Sequence, residues 1–181
     1  MKSAIKAALI VAAAIVTTSA SMPFAQAQSG GAAPTDPQIV GIVLAANQID
    51  INYGKLALSK SNDKDVRGFA QQMITDHASL QKAVRDLGAK LKVTPADSDT
   101  STSLNKQAKE TTAKLKKLNG QAFDKAYVEN EIAFHKAVIN ANDNVLIPSA
   151  KNSELKSALE GARPLFQGHL EHVEHIQSAL Q

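Results

Sequence analysis

The 181-residue chain contains no cysteine and no tryptophan, and aromatic residues make up 4% of it. Without cysteine there is no disulfide, no thiol chemistry and no cysteine for lipid attachment. Nucleic-acid recognition needs a concentrated basic face with stacking rings, and so few aromatics argue against it. No glycine-rich phosphate loop and no G-x-S-x-G elbow occurs, so nucleotide binding and serine-nucleophile hydrolysis lack their usual scaffolds. The carboxylates show no pairing of the kind glycoside hydrolysis uses. The apolar run from Ala7 to Val16 is too short to cross a bilayer. No stretch alternates apolar and polar residues long enough to make a strand. The expected class is all-α.

What is present begins at the N-terminus. Met1, Lys2, Ser3, Ala4, Ile5 and Lys6 precede the apolar run, and small residues lead to Ala25-Gln26-Ala27. A basic start, a short apolar core and an Ala-x-Ala ending predict a secretory signal peptide over residues 1–27, cleaved after Ala27. The expected destination is the periplasm of a Gram-negative bacterium. Lys2 and Lys6 supply two of the three net positive charges, so the mature chain stands close to neutrality. Residues 28–36 read as a flexible Gly/Ala/Ser linker, and residues 37–181 as one domain, long enough to bury a core without staples.

Four long amphipathic helices are predicted in that domain. Thr35 and Asp36 before Pro37 start the first, which runs to about Lys60. Ser61 to Lys64 is a short turn with its own cap, and the second helix continues to about Lys92. Val93 to Thr102 reads as loop. Ser103 to Leu118 is a weaker, lysine-rich helix closed by Asn119-Gly120. The third long helix spans about Gln121 to Leu146, ended by Pro148. The fourth is capped by Asn152 or Ser153 and runs to Leu180, with Pro164 expected to bend or interrupt it. The brief first turn makes helices one and two antiparallel. The segment between helices two and three is long enough to run the height of a bundle, at about 1.5 Å per residue. It therefore lets helix three run parallel to helix two. Two hairpins joined by such a crossover form a ferritin-like four-helix bundle.

Each long helix carries an apolar seam broken once by a residue able to bind metal. Val66, Ala70, Met73, His77, Leu80, Val84 and Leu87 follow steps of four and three, as do Leu159, Ala162, Phe166, His169, Val173 and Ile176. Asp50 interrupts the first seam, and Glu131 interrupts the third, where His135 stands beside Phe134. His77 lies fourteen residues after Asp63 and His135 fourteen after Gln121. If helices two and three are parallel, those imidazoles share a level, and Glu131 and His169 are equally spaced about the second turn. His172 lies next to the seam and is added as a partner for His169, whereas His175 reads as a solvated residue.

A carboxylate or bare imidazole in a helical core is unfavourable unless paired or coordinated. Asp50, His77, Glu131, His135, His169 and His172 together suit iron, manganese, zinc or copper. The alternative is a metal-free hydrogen-bond network, with His77 on Asp50 and His135 on Glu131. A di-iron centre of the Glu-x-x-His type is not spelled out: Ile74, Ile132 and Phe166 stand three residues before His77, His135 and His169.

Several segments resemble a known family. They are Ile49-Asp50-Ile51-Asn52-Tyr53-Gly54-Lys55-Leu56-Ala57, Phe69 to His77 with its Met-x-x-Asp-His element, Phe123-Asp124-Lys125-Ala126-Tyr127 with His135, and Pro164 with His169-Leu170. Together they resemble the exported bacterial ferritin-like family called domain of unknown function 4142, whose members are often labelled outer membrane proteins. The resemblance implies a ferritin-like bundle with a polar site at Asp50, His77, His135 and His169. The family commonly has Glu-x-Glu where this chain has Asp50 and Asn52, which implies one carboxylate fewer. No barrel strand or lipid anchor supports more than a peripheral tie to the outer membrane. The expected function is a periplasmic protein whose buried His/carboxylate site binds a transition metal, in envelope or stress homeostasis. The alternative is a non-catalytic helical interaction module with a metal-free polar core. Whether the chain is an enzyme stays open, with oxidoreductase chemistry the weakest of three readings. Partners left open are a second copy and another envelope protein.

Overall fold

A computed structural model describes residues 32–180, and the expected signal peptide, its cleavage point and most of the linker lie outside them. Helix α1 spans Asp36–Lys60, α2 Lys64–Leu91, α3 Asp99–Lys116 and α4 Gly120–Ala141. A π-helical turn, Asn142–Leu146, and a single turn α5, Ile147–Ser149, lead to α6, Ser153–Ala179. No strand occurs among the described residues.

Local chemistry explains the helix ends. The Thr35 N–H donates to Gln38 Oε1 at 3.0 Å, with Pro37 in the first turn of α1. Asp36, also in that turn, accepts from the backbone N–H groups of Lys151 and Asn152, so the start of α1 is tied to the start of α6. Asp63 caps α2 by accepting from Asp65 and Val66, and Lys92 ends it in the left-handed region at φ 57°. Asn152 caps α6 through Glu154 and Leu155.

Two boundaries differ from expectation. Helix α3 starts four residues earlier than the periodicity suggests, because Ser98 caps it: its Oγ accepts from the Ser101 N–H. The third long helix does not run regularly to Leu146 but widens into a π turn at Asn142. Pro148 cannot donate to the carbonyl four residues back and its ring crowds that carbonyl, so regular α geometry fails just before it. Pro164, by contrast, does not interrupt α6. Pro164 and Glu160, whose carbonyl loses its donor, are both exposed, so water can satisfy that carbonyl.

Direction follows from register. Moving from Asp50, His77, Glu131 and Phe166 toward one end of the bundle, residue numbers fall along α1 to Ile42 and along α6 to Leu155. They rise along α2 to Leu87 and from α4 into the π turn to Leu146. Helices α2 and α4 therefore run one way and α1 and α6 the other, as a crossover requires. The crossover helix α3 packs mainly on α1 and also touches α4. Helices α1 and α2 approach closely at Gly54, where a Cβ would sit 2.7 Å from the Ala70 carbonyl oxygen.

The bundle is layered along its axis. At one end Phe69, Phe123 and Tyr127 form an aromatic plug, with Phe123 and Tyr127 stacked at 6.1 Å. The next layer is polar and buried: Asp50, His77, Glu131, His135 and His169. Beyond it lies an apolar cavity. This order puts the polar groups at mid-height, closed on the plug side.

Candidate metal centre

Five of the six sequence-selected residues meet. Each of the five is at most 2% exposed, so any charge there is dehydrated unless paired or coordinated. Ligand-capable atoms of His77, His135 and His169 all lie within 4.8 Å of one another, and the same holds for Asp50, Glu131 and His135. The ring centroids form a triangle of 5.9 Å (His77–His135), 5.3 Å (His77–His169) and 5.4 Å (His135–His169). His172 does not join them. Three residues along α6 from His169, it turns onto an exposed face, where Nδ1 lies 3.0 Å from Gln72 Oε1 and its ring meets Phe69 edge to face.

The outer nitrogen of each buried histidine has a hydrogen-bond acceptor. His77 Nδ1 is 2.8 Å from Asn47 Oδ1, and Asn47 is held by donating its Nδ2 to the Val43 carbonyl. His135 Nδ1 donates to the Glu131 backbone carbonyl at 3.0 Å. His169 Nε2 donates to Asp76 Oδ2 at 2.9 Å. An acceptor on one nitrogen assigns the proton to it and leaves a lone pair on the other. His77 Nε2, His135 Nε2 and His169 Nδ1 are those other nitrogens. All three are buried with no hydrogen-bond partner among the described residues. Orienting acceptors on the far nitrogens are what metal-bound histidines commonly have.

Burial dominates the electrostatics. It holds His77 down at about 2, helped by His135 and His169, and His135 at about 4, helped by His169. His169 is lowered by burial too, with Asp76 opposing. All three imidazoles are therefore neutral at pH 7. Burial also raises Asp50 and Glu131 well above the carboxylate range. The charge of Asp50 raises Glu131 further. The two carboxyl groups lie close together, and Asp50 Oδ1 and both Glu131 side-chain oxygens have no hydrogen-bond partner among the described residues. The buried Tyr127 phenol is raised by burial and by both of them.

The pairings expected of a metal-free network are not made as expected. His77 Nε2 is 3.6 Å from Asp50 Oδ2, and His135 Nδ1 is 3.6 Å from Glu131 Oε2, both too long for hydrogen bonds. The residues that do hold the imidazoles, Asn47 and Asp76, are not among those picked from the seams. Asn47 carries a faint signal, since it stands three residues before Asp50 on the same helical face. Asp76 carries none in the seam, because it borders the surface.

The donor set fits a divalent transition ion. Three imidazole lone pairs suit zinc, copper or iron, and adjacent carboxylates extend the range to manganese. Two carboxyl groups that shed their protons would neutralise a doubly charged ion in a dry core.

The comparisons with known proteins agree with this architecture. No curated protein matches the chain in sequence. A solved structure from Streptomyces coelicolor, described as "putative secreted protein DUF305", superposes with a TM-score of 0.67 over 79% of this chain and 91% of that one, at 11% identity. At that identity the likeness concerns the fold alone. The description named "Domain of unknown function (DUF4142)" matches residues 21–176, nearly the whole described bundle. The chain belongs to the DUF4142 family.

Proposed function

We propose that this is an exported, periplasmic protein that holds one transition-metal ion in the polar layer of its bundle, in envelope or stress homeostasis. The observation that carries the reading is that ligand-capable atoms of His77, His135 and His169 lie within 4.8 Å of one another, each imidazole with one nitrogen on an acceptor and the other buried without a partner. His77, His135 and His169 are the ligands, with Asp50 and Glu131 as the carboxylates that complete the site. A bound ion there would supply Lewis acidity, or electron exchange if it is redox-active. Around it, Asn47, Asp76 and the Glu131 carbonyl hold the rings, and the plug of Phe69 and Tyr127 keeps water out on one side. Metal analysis of untagged protein tests this. One ion of iron, manganese, zinc or copper per chain is expected, and it should be lost in the His77→Ala/His169→Ala variant. A folded native chain that takes up none of the four overturns the reading.

A second reading, a metal-free interaction module, is favoured by the upward shift of Asp50 and Glu131, since carboxyl groups that burial holds in the protonated form are neutral without an ion. It predicts that the same double variant changes stability and leaves metal content at the buffer level.

A further inference from the structure

The cavity beyond the polar layer is built differently from the rest of the core. It encloses about 130 Å³. Its walls are apolar, with Ile42, Leu80, Leu87, Leu146, Leu159 and Phe166 contributing from both hairpins. Interiors of small proteins are normally packed with few voids larger than a water molecule, so an unfilled volume of this size next to a polar cluster calls for an occupant. Water is a poor one, because a buried water needs several polar partners and these walls supply almost none.

The polar groups facing the cavity are concentrated at its floor. Asn47 already accepts from His77 and donates to the Val43 carbonyl, and Asn142 Nδ2 donates to the Leu159 carbonyl. That leaves Asp50 and His77, both 2% exposed, with Asp50 Oδ1 and His77 Nε2 unpartnered. At the other side, Ala83 and Ala158 line the cavity while being exposed themselves, so small side chains on α2 and α6 leave a way in. The two hairpins thus define an apolar slot with an opening at alanines and a polar end at Asp50 and His77.

We propose that this slot binds a small molecule with an apolar body of about six carbon atoms and a polar head, the head meeting Asp50 and His77. The size follows from the volume: an apolar protein cavity of about 150 Å³ takes up benzene. The head follows from the two unpartnered atoms, one on a carboxyl group that can donate or accept and one on an imidazole nitrogen that accepts. The inference deepens the metal reading by naming the ligand class that its site addresses. It rests on that reading only for what the head meets once metal is bound, because the slot exists without it.

A series of straight-chain primary alcohols from propanol to decanol tests the proposal, measured by calorimetry on the exported chain with and without metal. Affinity should rise roughly fourfold per added methylene, the transfer free energy of one CH₂, up to about six carbons. It should then stop rising. Ala162→Phe fills the slot and should weaken hexanol binding at least tenfold with metal content unchanged. Ala46→Leu is the gentler second variant should the first not fold. Affinity that does not depend on chain length, or that survives in a folded slot-filling variant, overturns the proposal. So does an unreactive slot covered by a second copy or by the chain's own N-terminal residues. Intact metal content without alcohol binding sinks the slot proposal alone. Alcohol binding by a chain that takes no metal sinks the metal reading and leaves the slot standing.

Discussion

Without a bound ion, this protein should become less stable as the pH rises through neutrality. Asp50 and Glu131 are 2% and 0% exposed and face each other, and burial lifts both well above the ordinary carboxylate range. The fold therefore holds protons on this pair to higher pH than the unfolded chain does. In the unfolded chain the same groups ionise near 4. Folding therefore takes up a proton, and stability falls with pH by about 1.4 kcal/mol per unit for each proton retained. This contribution is fully present below about pH 4 and is lost progressively as pH climbs toward the raised folded value. The histidines act on the other side. His77 and His135, held at about 2 and about 4, are neutral in the fold, whereas unfolded imidazoles protonate below about 6.5. Their contribution is intact above that value and is lost as pH falls below it, so they do not tilt the slope above pH 7. Urea denaturation of chelator-treated protein at several pH values between 7 and 8.5 measures the slope. The Asp50→Asn/Glu131→Gln variant, which cannot titrate there, supplies the baseline for every other group. The wild-type chain should lose stability relative to the variant as pH rises, with about 1.4 kcal/mol per pH unit the limit for each proton retained. Parallel curves would refute the raised-carboxyl argument.

Three further outcomes follow from the geometry. Asp76→Ala removes the acceptor from His169 Nε2 and should weaken metal binding by about 10- to 100-fold in a chelator competition. His172→Ala, which alters only the Gln72 and Phe69 contacts, should leave that affinity unchanged. Gly54→Ala places a methyl group 2.7 Å from the Ala70 carbonyl. It should cost about 1–3 kcal/mol by forcing α1 from α2, and an unchanged melting temperature would show that the helices can part freely.

The seams were legible because helical periodicity is a local property. Steps of three and four residues mark the buried face whatever that face packs against, so Asp50, His77, Glu131, His135 and His169 stood out as polar residues on apolar stripes. His172 was misjudged for a local reason as well. Two successive three-residue steps from Phe166 fall about a third of a turn short, and that offset carries it from the buried face of α6 to the surface beside Gln72. Asn47 and Asp76 escaped because an orienting residue is defined by what it touches on another helix. The start of α3 at Ser98 was hidden for a related reason, since a serine among serines and threonines gives no period to follow.

By itself, then, the sequence determined the helices, their buried faces and the crossover that makes α2 and α4 parallel, since these depend on spacing, caps and connection length. Tertiary structure decided which nitrogen of each histidine is left without a partner, that Asp50 and Glu131 are buried close together, and that an apolar slot opens onto them. Those outcomes are set by distances of a few ångströms between different helices. No periodicity along one chain encodes them, because a seam records that a residue is buried and not what it is buried against.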